Sequence, residues 1–291
     1  MRIGVTFPQA DIPTDRAAVK EYAQTVEAMG FRHIAVYDHV LGANPASRPG
    51  QRFFYNHESL FHEPLVLFGY LAALTETVEL VSKIIILPQR QTVLAAKQAA
   101  AVDVLSGGRL RYGVGLGWNA VEYEALNEDF HNRGKRLEEQ LAVMRALWTE
   151  PLVTFQGAFH TVTDAGINPL PIQRPIPVWI GGGAVDASFG RIARIGDGWF
   201  PQVPATGAKE AVERMHGLVR DAGRDVAAFG IEGSVNASLG GPQEWAEAVD
   251  LWRAAGASHL AFTTLNAKLP TLAAHLDALR QFAEVVDPRA D

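Results

Sequence analysis

The sequence predicts a single (β/α)8 barrel spanning residues 1–291, and three observations carry that expectation. Short β-rich runs alternate with amphipathic helical stretches, and eight such runs can be counted. Four of the helix-to-strand junctions also share one chemistry, a helix that ends at glycine and passes almost directly into a strand. These are Ala28-Met29-Gly30 before 33–37, Ser106-Gly107-Gly108 before 110–114, Arg194-Ile195-Gly196 before 198–200, and Ala255-Gly256 before 259–262. Glycine suits such a place because the left-handed conformation that closes a helix carries no Cβ clash there. Eight alternating units favour closure into a barrel over an open doubly wound sheet.

Taken in order, the first strand is read over 3–7, and Thr14 and Asp15 then open a helix whose apolar stripe is Val19, Tyr22, Ala23, Val26 and Met29. Strands follow at 33–37, 78–87 and 110–114. A later helix carries Leu137, Leu141, Met144 and Trp148 on one face and stops at Pro151. The remaining strands are read at 178–180, 198–200, 231–235 and 259–262, with Pro242 suited to the first position of the helix that contains Trp245. Two connections are long. Residues 42–63 are rich in Pro, Arg and aromatics, and 151–177 contain a predicted hairpin over 153–160. Long loops on a barrel shape the substrate mouth or cover the core, and neither reads as a domain boundary.

Composition narrows the function. Lys and Arg total 26 against 32 Asp and Glu, for a net charge of −6, and no block of like charge would grip a nucleic acid. No stretch reaches the roughly 18 apolar residues of a membrane span, and Met1-Arg2-Ile3-Gly4-Val5-Thr6 reads as a strand rather than a signal peptide. The expectation is a soluble cytoplasmic protein acting on a small molecule. With no cysteine, disulfides, thiolate metal sites and cysteine nucleophiles are excluded. No metal-binding or hydrolase motif is present, so no metal is expected.

A barrel of this class places its chemistry where the strands end, which makes the residues just after each strand the candidates. Asp38 and His39 end the second strand, where an imidazole can carry a proton near neutral pH and a carboxylate can bond a heterocycle; a capping Asp beside a packed His is the structural alternative. Gly113-Val114-Gly115-Leu116-Gly117 follows the fourth strand without the spacing of a dinucleotide fingerprint, and reads equally as a ligand-binding turn or a tight barrel turn. Gly181, Gly182 and Gly183 precede a helix through Phe189 and Ile192. Amides exposed there, at the positive end of the helix dipole, form a phosphate seat.

In order along most of the chain, several segments resemble the luciferase-like monooxygenase superfamily, in particular its actinobacterial branch dependent on the deazaflavin coenzyme F420. They are Ile3-Gly4-Val5-Thr6-Phe7-Pro8, Tyr37-Asp38-His39-Val40, His62-Glu63-Pro64-Leu65, Leu87-Pro88-Gln89-Arg90, Gly113 through Trp118, and Gly196-Asp197-Gly198-Trp199-Phe200. The resemblance implies a flavin-type ring across the barrel mouth near Asp38, His39 and Ser82. A non-proline cis peptide is expected beneath it at Ser82-Lys83. Gly115, Leu116, Gly117 and Trp118 would border the cofactor side chain, Gly181, Gly182 and Gly183 would take its phosphate, and His39 would be the proton donor or substrate anchor. Arg48, Arg52 and Arg90 are candidates for an anionic tail.

One departure stands out. Sugar-phosphate and alcohol dehydrogenases of this superfamily carry a catalytic Glu where Trp118 stands here, and Glu122 lies a helical turn beyond. The implied activity is hydride transfer between F420 and a small organic substrate. The alternatives are an FMN-dependent monooxygenase using O2 and a partner reductase, a non-catalytic flavin-binding protein, and an unrelated barrel isomerase that holds a substrate phosphate. A homodimer is expected from the resemblance.

Overall fold

Glycine and proline mark several element boundaries in the computed structural model, which describes residues 1–290. Along the chain run β1 (Arg2–Thr6), α1 (Arg16–Met29), β2 (His33–Val36), α2 (Pro64–Leu74), β3 (Glu79–Ser82), β4 (Ile85–Ile86), α3 (Thr92–Leu105) and β5 (Leu110–Gly115). Then come α4 (Ala120–Ala125), α5 (Arg133–Thr149), β6 (Val153–Gln156), β7 (Thr161–Ala165), β8 (Val178–Gly182), α6 (Asp186–Ile195), β9 (Gly198–Pro201) and α7 (Ala208–Asp221). The last are β10 (Gly230–Asn236), α8 (Pro242–Ala254), β11 (His259–Thr263) and α9 (Leu272–Val285).

The main sheet is parallel and closed. β1 lies between β11 and β2, the order continues β2, β3, β5, β8, β9, β10, and β10 returns to β11. This is the predicted (β/α)8 barrel. The hairpin β6–β7 stands apart as an antiparallel pair. Its turn is tied to α5 by Glu139, whose carboxylate accepts from the amides of Ala158 and Phe159, each at 2.8 Å. No helix among the described residues is long and apolar enough to cross a membrane.

Local chemistry explains the helices. Asp15 caps α1 by accepting from the amides of Ala17 and Ala18, and Gly30 closes it at φ +90. Gly107, Gly108 and Gly256 are left-handed as expected, with φ of +70, +82 and +89. Gly196 is not. Its φ is −86, and glycine is needed there because an added Cβ would lie 3.0 Å from the Ile192 carbonyl and 3.1 Å from that of Gly198.

The third wall position differs from the continuous strand expected over 78–87. It breaks into β3, which pairs with the lower part of β5 through Leu80 and Leu110, and β4, which pairs with its upper part through Ile85 and Val114. The cis peptide lies between them at Lys83-Ile84, one bond beyond the expected Ser82-Lys83. Close approach accounts for the break. The Ser82 carbonyl sits 1.8 Å from where a Cβ on Gly113 would be, so the two strands touch backbone to backbone.

Inside the barrel, Ala35, Val81, Trp179 and Phe200 form an apolar layer. Beneath it lies a charged one. The buried Glu232 carboxylate accepts from Lys83 Nζ at 2.9 Å and Arg111 Nη1 at 2.7 Å, with His33 Nε2 at 3.2 Å. Burial alone would raise the Glu232 pKa, but Lys83, His33 and Arg111 hold it well below the usual carboxylate range. The Arg111 guanidinium also lies over the Trp179 ring, 4.4 Å from its centroid.

Candidate active site

A cavity of about 650 Å3 opens at the carboxyl ends of β2, β4, β5 and β8. It gathers His39, Asp38, Lys83, Gly115, Leu116, Gly117, Trp118, Gly181, Gly182 and Gly183 along its wall. Ser82, expected among them, does not reach it. Its hydroxyl donates to the Gly113 carbonyl at 2.9 Å and accepts the Gly113 amide at 2.8 Å, which stitches β3 to β5.

Asp38 borders the cavity but spends its carboxylate on the frame. Oδ2 accepts from the Ile86 amide at 2.9 Å and Oδ1 from Arg90 at 2.7 Å, so it joins the end of β2 to β4. Arg90 also donates to Glu63 at 2.7 Å. It is therefore committed, and is not a free rim cation as the sequence suggested. Arg48 and Arg52 lie outside the cavity wall, where the basic side chains are instead Lys83, Arg133 from α5 and Arg191 from α6. Sequence reasoning missed both arginines, because a helical stripe does not say which polar residue leans over a neighbouring strand end.

The imidazole of His39 packs against the Tyr55 ring, with centroids 3.6 Å apart, and meets the edge of Phe61 at 4.8 Å. Its Nδ1 faces Glu122 Oε1 at 3.5 Å, and Glu122 is wholly buried. Local sequence puts Glu122 there. Asn119 caps α4 by accepting from the Val121 amide, which sets Glu122 in the first turn, where the helix dipole favours a carboxylate. Oε1 is anchored by the Val40 amide at 2.8 Å, directly after His39. The Asn119 side chain donates to Tyr55 Oη at 2.9 Å. Burial, with Glu122 nearby, holds the Tyr55 phenol above its usual pKa despite that bond, so it stays protonated. A carboxylate thus reaches the site from α4, while Trp118 occupies the position where relatives were expected to have one.

The opposite wall is made of glycines. A Cβ on Gly115 would lie 2.7 Å from Ile84 Cδ1 and one on Gly181 would lie 3.0 Å from Ile84 Cγ2, so the Ile84 side chain packs directly on both glycines. Gly117 turns the chain at φ +66. Beyond them, α6 begins without a side-chain cap, its Ser188 amide donating back to the Val185 carbonyl at 3.0 Å, and Ser188 and Arg191 line the cavity from the same helix. A Cβ on Gly183 would meet nothing nearer than Gln202 Oε1 at 3.8 Å, so this end is open. The start of α6, the Ser188 hydroxyl, Arg133 and Arg191, the last of which also donates to Glu138 at 3.0 Å, make a donor set suited to a phosphate, and Ile84 fills the space against Gly115 and Gly181.

Residues 1–286 match the luciferase-like monooxygenase family. The chain belongs to that family. An uncharacterized protein of Mycobacterium tuberculosis is 31% identical over 213 residues, covering 70% of this chain and 74% of its own. The FMNH2-dependent dimethylsulfone monooxygenase of Pseudomonas putida is 32% identical over 142 residues, covering 48% of this chain and 39% of its own. An F420-dependent secondary alcohol dehydrogenase, solved with an F420-acetone adduct, superposes with a TM-score of 0.80 at 17% identity, covering 100% of this chain and 99% of its own. This luciferase-like protein therefore sits among oxidoreductases that use either F420 or FMN.

Proposed function

We propose that this protein is an oxidoreductase that transfers a hydride between coenzyme F420 and a small organic substrate. The observation that carries the reading is one cavity with His39 at one end, backed by the buried Glu122, and a phosphate-type donor set at the other. Bound F420 would supply or take up the hydride. Its ring system would lie near Asp38, His39, Lys83 and Ile84, Gly115, Leu116, Gly117 and Trp118 would border its side chain, and Gly181, Gly182 and Gly183 with Ser188 and Arg191 would hold its phosphate. A hydride moved at a carbon–oxygen bond releases or consumes a proton, and His39, steadied by Glu122, is placed to carry it.

An FMN-dependent monooxygenase reaction, with O2 and a partner reductase, is the second reading, favoured by the Pseudomonas putida relative. Titration of the protein with each cofactor, followed by tryptophan quenching, separates them. Tight F420 binding without FMN binding supports the first; tight FMN binding alone overturns it. Binding without any turnover would identify a non-catalytic flavin carrier. We further propose a homodimer, supported by the exposed apolar side chains of α2 and α3, where Val66 is 71% and Leu94 is 52% exposed.

A further inference from the structure

An unbroken series of aromatic contacts runs from solvent down to His39. Phe54 is 90% exposed yet lines the cavity, and its edge meets Trp118 at 5.2 Å with the rings at 87°. Trp118, 38% exposed, receives Phe53 at 6.4 Å and the edge of Tyr55 at 5.5 Å. Tyr55 lies against the His39 ring. Two separate segments build this rim, the long loop after β2 and the turn after β5, so the clustering is a product of the fold and not of one aromatic run.

Three charged groups at the His39 end of this rim are bonded within the fold. Asp38 holds Arg90 and the Ile86 amide, Glu122 holds the Val40 amide and faces His39, and Lys83 is paired with Glu232. A charged or polyhydroxylated ligand lying against the rings would gain little from these three groups in exchange for its lost hydration, which is costly. A flat apolar body would instead extend the ring series, and only one polar atom, at His39, would need a partner. We infer that the substrate is an uncharged, planar aromatic compound carrying a single alcohol or carbonyl oxygen, its ring held by Phe54 and Trp118 and its oxygen directed to His39. The choice of oxygen function rests on the proposed hydride transfer; the aromatic site does not.

The test is binding to the cofactor-free protein, using 2-acetonaphthone, decanal and glucose 6-phosphate as probes, with affinity read from fluorescence. The expected order places 2-acetonaphthone first. Phe54→Leu should weaken its binding by about two- to tenfold, as removal of one aromatic partner does, while decanal shifts by less than about twofold and Phe54→Trp restores the affinity. Because Phe54 is largely exposed, these variants should melt like the parent. The inference is overturned if decanal or glucose 6-phosphate binds as tightly as 2-acetonaphthone, or if Phe54→Leu binds the naphthyl ketone unchanged. Failure of F420 to bind in a separate titration would remove the hydride reading and leave a ring-dependent naphthyl site standing.

Discussion

Nδ1 of His39 and Oε1 of Glu122 face each other at 3.5 Å in a buried setting, although the two residues come from different βα units. The carboxylate is held by the Val40 amide, so it is tied to the chain segment that carries the imidazole.

Turnover should depend on this pair. His39→Ala is expected to lower kcat by about 100-fold or more, in the range of a lost general acid or base. Glu122→Gln keeps an oxygen for Val40 but removes the charge facing the imidazole, and should lower kcat by roughly tenfold and move the pH profile of kcat. An unmoved profile would mean that Glu122 only packs.

Ser82 should matter for stability and not for cofactor binding. Ser82→Ala removes both hydrogen bonds to Gly113 and is expected to cost about 1–3 kcal/mol in a denaturant melt. The F420 dissociation constant should remain that of the parent, measured by the same quenching titration.

Acid should weaken the fold from near pH 6.5 downward. Burial, with Arg111 and His33 nearby, pushes His259 down to about 2, and burial lowers His33 as well. The unfolded chain therefore takes up protons below about 6.5 that the folded chain refuses, and stability falls with pH through that window. Glu232, held low, adds a second loss once the pH drops below the unfolded carboxyl value of about 4.3. His259 alone should contribute roughly 2 kcal/mol of loss at pH 5. Urea melts of the parent and of His259→Gln between pH 7 and 5 check this, the variant showing the flatter profile.

Association should use the outer faces of α2 and α3. Sedimentation of the parent is expected to give two copies, and Leu94→Glu or Val66→Glu a single one, because a charge buried in an apolar interface finds no partner. A monomeric parent would refute the homodimer.

Much of this was legible in the chain alone. Period and punctuation identified the barrel, since stripes such as Val19, Tyr22, Ala23 and Val26 alternate with eight short β-rich runs, and Gly30, Gly107 and Gly256 could be read as helix ends. The rim glycines and His39 followed from their places after strands. Local pattern says which face of an element is apolar and where it stops. It does not say what stands opposite, because that depends on register between segments far apart in sequence. Only the closed barrel set Gly113 against Ser82, which turned an expected cofactor contact into a strand clasp and split the third strand. Only the packing of α4 brought Glu122 to His39, and only α5 and α6 brought Arg133 and Arg191 over the cavity while Arg90 was drawn into a pair with Asp38.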